Sequence, residues 1–158
     1  MPFTPKSAPG AGLPALAPGG GLFFWATTIY GKPIAKKRPR FARRGKFVAA
    51  INDQQPEEGR LYLELKQAWG QREPLACPLV VEMVFGMPIP ASASNKKRAA
   101  MLNGEIRSQM KPDVDNLAKF ILDVGNGLLW VDDCQIHRMT VRRVYADPPF
   151  TKIEVVAA

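Results

Sequence analysis

Strand-like and helix-like segments alternate along this chain in a way that predicts a single compact α+β domain, a β-sheet packed with helices. Three observations carry that expectation. Four runs rich in β-branched, aromatic or aliphatic residues are bounded by Gly, Pro and Asp; two longer segments repeat their apolar residues at helical spacing. The chain has 158 residues and is 46% hydrophobic, enough for one core and too short to require a second.

Residues 1–21 are rich in Pro, Gly and Ala with few large apolar groups, which predicts a disordered low-complexity tail ahead of a domain over 22–158. The run Phe23-Phe24-Trp25-Ala26-Thr27-Thr28-Ile29-Tyr30 reads as a first strand, and Phe41 to Ile51 reads as a hairpin turning at Arg44-Gly45-Lys46. Between Glu57 and Gln71, Leu61, Leu65, Ala68 and Trp69 recur at helical spacing behind Pro56. Leu79 to Met87 is a mostly apolar strand, hence central in its sheet, closed by Pro88 and Pro90. Ser92 to Asn103, with Lys96-Lys97-Arg98, reads as a short helix or a lid, with a solvated charged face.

A helix over 114–126 places Leu117, Phe120, Ile121, Val124 and Leu128 in one stripe and Asp115, Asn116, Lys119 and Asp123 opposite. Leu122 falls on the polar side, which predicts a second contact there, such as a subunit interface. Cys134 to Tyr145 reads as a long strand whose apolar phase changes between Ile136 and Met139, a bulge signal. Thr151 to Val156 alternates with Ile153 and Val155 inward, and is expected to pair antiparallel with the preceding strand across Asp147-Pro148-Pro149.

Net charge is +8, and its distribution matters more than its sum. Nine Lys/Arg and no acidic residue precede Asp53, while thirteen basic and fourteen acidic residues occupy the rest. The excess lies between Lys32 and Lys46, where prolines and Phe41 hold Lys32, Lys36, Arg38 and Arg40 in an extended arm suited to phosphate contacts. Cys77 and Cys134 have no zinc-finger or redox spacing and read as reduced, buried thiols. His137 reads as structural or exposed, and one histidine excludes His-rich metal centres. No apolar run is long enough for a bilayer, and no signal peptide is apparent, so a soluble, cytoplasmic, unexported protein is expected, without a membrane partner or a small-molecule cofactor.

The chemistry concentrates in two acidic clusters around the second helix. Asp113 and Asp115 open it in Asp-x-Asp form, and Asp132-Asp133 follow its Gly125-Asn126-Gly127 stop. One aspartate at a helix start is explained by capping, and Asp115 with Lys119 by an ordinary helix ion pair. Two clusters exceed what capping requires and point to a divalent metal, Mg²⁺ or Mn²⁺, which takes only a few carboxylates. Lys119, one turn beyond Asp115, is placed to stabilise charge developing on a phosphate.

The run Lys111-Pro112-Asp113-Val114-Asp115-Asn116-Leu117-Ala118-Lys119, continued by Asp123, Asn126-Gly127, Trp130 and Asp132-Asp133 followed by Gln135, closely resembles the RusA family of Holliday junction resolvases. The basic arm, Gly31-Lys32-Pro33 with Lys36, Arg38 and Arg40, resembles a signature of one branch of that family. The resemblance implies a homodimer with a mixed sheet, using Mg²⁺ (or Mn²⁺) to nick opposed strands of a DNA four-way junction in recombination and repair. It implies catalytic roles for Asp113, Asp115, Lys119 and Asp133, metal ligation by the three aspartates, and a bacterial, phage or prophage setting. Asp132 is then a neighbour of the site. Two alternatives stay open: a DNA-structure-binding protein without nuclease activity, and a carboxylate–metal nuclease acting on other branched DNA or on RNA.

Overall fold

The structure, a computed structural model, describes residues 24–38 and 40–157; the tail expected over 1–21 lies outside the described residues. The elements run β1 (Phe24–Tyr30), β2 (Arg40–Arg44), β3 (Phe47–Ile51), α1 (Gln55–Trp69), β4 (Leu79–Met87), α2 (Asn95–Leu102) and α3 (Val114–Gly125). A single turn of 3-10 helix, Asp133–Gln135, then leads to β5 (Ile136–Tyr145) and β6 (Phe150–Ala157). Four strands form one mixed sheet in the order β1-β6-β4-β5, while β2 and β3 form a separate hairpin. The fold is thus α+β, as expected, with β4 in the interior.

β4 pairs parallel with β5 and antiparallel with β6. The predicted bulge is present: Leu79 faces Ile136 but Val80 faces Arg138, leaving His137 as the extra residue. The expected β5–β6 hairpin does not form, because β6 lies on the opposite side of β4, between β4 and β1. Pro148 and Pro149 lack the N–H groups a tight hairpin would use, so the connection crosses the end of β4. The Ala146 N–H donates to Met87 O at 2.9 Å and the Gly31 N–H to Pro149 O at 2.9 Å. Gly86 makes room for that crossing: a Cβ there would lie 2.5 Å from the Phe150 ring and 2.8 Å from Ala146 Cβ.

α1 and α3 cover one face of the sheet. Leu61, Leu65 and Trp69 of α1 and Leu117, Phe120, Ile121 and Val124 of α3 are buried against Val81, Met83, Phe85, Ile153 and Val155. Trp25 meets Trp69 edge to face, with centroids 5.0 Å apart. The other face is mixed, with apolar residues such as Val84 and Val144 beside ion pairs such as Arg142–Glu82 at 3.5 Å. Leu122, for which a second contact such as a subunit interface is expected, is half-buried and packs in part against the core. α2 is a packed helix, capped by Ser94 and anchored through buried Met101. Both cysteines are free, but Cys134 is exposed rather than buried, because the 3-10 turn lifts it off the sheet; Cys77 is half-buried. Among the described residues no helix is long and apolar enough to cross a membrane.

Candidate active site

α3 begins at Asp113, whose extended backbone (φ −69°, ψ 149°) places it at the N-cap, yet its carboxylate accepts no capping hydrogen bond. Asp115, in the first turn, and Lys119, one turn on, are exposed. Among the described residues neither forms an ion pair with the other or with any other group. The two ordinary explanations, a helix cap and a helix ion pair, are therefore not realised. Asp113 and Asp115 stand free at the positive end of α3, where the helix dipole favours negative charge, and Lys119 stands free one turn further on.

The loop before Asp113 is fixed from beneath by Arg143 of β5. Its Nη1 donates to Met110 O at 2.6 Å and to Pro112 O at 2.7 Å, and its Nη2 to Ser108 O at 3.4 Å. A guanidinium fork suits this task because its donors are held in a plane. Sequence reasoning missed Arg143; the available signal was an arginine in a strand of otherwise alternating character.

The basic arm lies against the same end of α3. The Lys36 N–H donates to Asn116 O at 2.9 Å, and buried Gln54 accepts from the Lys37 N–H at 2.6 Å while donating to Ala35 O at 2.8 Å. Gln54 thus orders the arm, a role that nothing in the sequence pattern signalled. Tyr30, Lys32, Lys36, Arg60, Lys111 and Asp113 are among the residues lining one open groove of about 900 Å³, so the arm and the first aspartate share a surface. Lys32 and Arg38 project into solvent, and Arg40 loosely approaches Asp53 at 3.5 Å. Lys36 is different: its ammonium bridges Glu58 and Asp123, both at 2.9 Å. Burial opposes its charge, but hydrogen bonds to Asp123 and Glu58 outweigh that and hold its pKa above the ordinary lysine value. Lys36, expected at phosphate, and Asp123, expected on the face toward a ligand, are half-buried and paired with each other here.

Asp133 belongs to the other end of α3. The chain turns there through Gly127 (φ +74°), whose N–H donates to Trp130 O at 2.7 Å, while Trp130 Nε1 donates to Asn126 Oδ1 at 2.8 Å. Gly125 is required beneath the indole, since a Cβ would meet Trp130 Cζ2 at 2.6 Å. Asp132 then caps the 3-10 turn, accepting from the Cys134 N–H at 2.9 Å, while Gln135 Oε1 accepts from the Asp132 N–H at 2.9 Å. The Cys134 backbone bond, followed by the Cys134 thiol, lowers the Asp132 pKa; the same thiol contact raises that of Cys134. Asp132 is thereby a structural cap, and Asp133 beside it is exposed.

The twelve residues of α3 rise about 18 Å. β5 starts just after the 3-10 turn that holds Asp133 and runs back toward the start of α3, where Arg143 reaches Pro112 O. One chain consequently brings Asp113, Asp115 and Lys119 together and leaves Asp133 apart. Among the described residues no group of three or more His, Cys, Asp or Glu side chains is arranged to hold a metal ion. In chemistry the donors do fit a hard cation: free, exposed carboxylates at a helix start beside a basic groove.

Fold and site together define an α+β protein that presents unpaired carboxylates and a basic arm on one surface. Residues 30–156 match the endodeoxyribonuclease RusA family model, and the chain belongs to that family. It is also 31% identical over 132 residues to the uncharacterized protein YqaN of Bacillus subtilis (strain 168), a match covering 82% of this chain and 92% of YqaN.

Proposed function

We propose that this protein is a Mg²⁺-dependent DNA endonuclease, with Mn²⁺ as a substitute, that resolves Holliday junctions as a homodimer. One observation carries the reading: in a chain of the RusA family, the free carboxylate of Asp113 at the start of α3 opens onto the groove lined by the basic arm, with exposed Asp115 two residues on. Asp113 and Asp115 of one chain would hold the ion. The third carboxylate, Asp133, is supplied by the second copy, since the length of α3 separates it from the other two within a chain. A metal held there would supply an activated water and neutralise phosphate charge. Lys119 lies on the exposed side of α3 one turn from Asp115, where its ammonium meets the oxygens of the scissile phosphate. Lys32, Arg38 and Arg40 contact backbone phosphates, which gives affinity with little sequence information. Lys36 contributes by keeping the arm in place.

A two-fold dimer with two such sites suits paired incisions in a junction of near two-fold symmetry. Cleavage of a synthetic four-way junction with Mg²⁺, compared between the wild type and Asp115→Asn, tests the reading: the wild type cuts and the variant does not. Equal cutting by both would leave a DNA-structure-binding protein without this active site. Parallel assays on flap, linear duplex and RNA substrates separate junction resolution from action on other nucleic acids.

A further inference from the structure

The β2–β3 hairpin holds large apolar side chains in water: Phe41 is 73% exposed, Phe47 80%, Val48 65% and Ile51 45%. None of them joins the core. The register sets Phe41 opposite Ala50, Arg43 opposite Val48, and Arg44 opposite Phe47. Side chains alternate along a strand, so Phe41 and Val48 occupy one face and Phe47 and Ile51 the other. An isolated two-stranded hairpin is marginal in water, and apolar groups uncovered on both faces need an occupant.

The surrounding charge says which occupant. Arg40, Arg43 and Lys46 lie among these apolar groups, and no acidic residue occurs before Asp53. A second copy docked here would bring like charges together, and one flat contact would cover only one face. Intact duplex DNA satisfies the cations but offers no free base face to a phenyl ring. Branched DNA offers both, because bases at a strand-exchange point lose a stacking neighbour while phosphates crowd around them. The hairpin also continues directly from the arm that lines the groove beside Asp113.

We propose that the hairpin is a base-contacting element that places Phe41 and Phe47 against unstacked bases at the branch point, with Arg40, Arg43 and Lys46 on the adjoining phosphates. The inference rests on branched DNA being the substrate, but its readout does not require cleavage. The full chain is titrated in EDTA against a synthetic four-way junction carrying a fluorescent aminopurine at the crossover, and against a linear duplex of the same sequence. Wild type is compared with the double variants Phe41→Ala/Phe47→Ala and Phe41→Leu/Phe47→Leu. The leucine variant keeps apolar bulk and removes the aromatic faces.

Wild-type binding is expected to raise the aminopurine signal. Both variants are expected to lose that rise and to bind the junction roughly tenfold more weakly or worse, with a far smaller loss on duplex. Thermal melting monitors folding, and if the alanine variant melts early the leucine variant decides. Wild-type fluorescence and affinity in the leucine variant would overturn the inference. So would a loss of dimer mass in sedimentation, which would assign the hairpin to a second copy. Failure of the wild type to cut with Mg²⁺, with a Phe-dependent signal retained, would overturn the nuclease reading alone; normal cutting with an unchanged signal in both variants would overturn the hairpin alone.

Discussion

Arg143 Nη1 donates to the carbonyl of Pro112 at 2.7 Å, tying β5, an edge strand of the four-stranded sheet, to the residue immediately before Asp113. The same nitrogen holds Met110 O at 2.6 Å, so one guanidinium fixes two points of the loop that leads into α3. This side chain, through those two carbonyls, positions the loop from which the first carboxylate projects.

Arg143→Leu should therefore lower the cleavage rate by about a hundredfold, the scale expected for a small misplacement of a reacting group. Junction affinity, which the proposed function assigns to the arm, should change little. Arg143→Lys should recover only part of the rate, because a lysine cannot present a planar fork to two carbonyls. Single-turnover cleavage and binding in EDTA, measured on the same preparations, separate rate from affinity. A parallel loss of both in Arg143→Leu would assign Arg143 to DNA contact instead.

Lys36 links the arm to α1 and α3, bridging Glu58 and Asp123 at 2.9 Å each. Lys36→Met should destabilise the protein by about 2 kcal/mol, a figure moderated because all three side chains keep some solvent access. Its folded pKa is raised, so the stabilisation is fully present below the unfolded lysine value and is lost as pH rises through the folded one. Urea midpoints from pH 7 to 11 should show a constant advantage of wild type over the variant up to about pH 10, shrinking above it.

Much of this was readable from the chain. The strands at 24–30 and 79–87, the hairpin, both long helices and the bulge at His137 follow from local periodicity and turn residues. The pairing partner of β6 did not, because alternation reports which face is buried and not which strand lies alongside. Two prolines in the connection and Gly86 within a central strand carried that information, through the crossing that both accommodate. At the site, the residue types around α3 were legible, but the distance from Asp113 to Asp133 was not: sequence neighbours on either side of a helix are separated by its length. The fate of Lys36 was equally hidden, since only the fold brings Glu58 and Asp123 to it.

Lys119 is exposed on α3 and, among the described residues, has no ion-pair partner, so Lys119→Ala should change stability by less than about 0.5 kcal/mol. Its effect should appear in turnover, with a loss of about a hundredfold or more and near-normal junction affinity. Stopped-time cleavage and gel-shift titration supply the two numbers. A large affinity loss with normal turnover would place Lys119 among the phosphate-binding groups.

The separation along α3 yields a sharper test of how the acidic set is completed. If Asp113 and Asp115 act with Asp133 of the second copy, Asp115→Asn and Asp133→Asn homodimers are each inactive. Refolding the two variants together produces some mixed dimers. In a mixed dimer, one site receives both altered residues and the other receives neither, so one intact site returns and single-strand nicking of the junction reappears. If each chain instead completed its own set, both sites of the mixed dimer would carry one substitution and no nicking would return. Denaturing gels of a junction labelled on each strand distinguish the two outcomes. The mixture ought to nick one strand per binding event, and the wild type two.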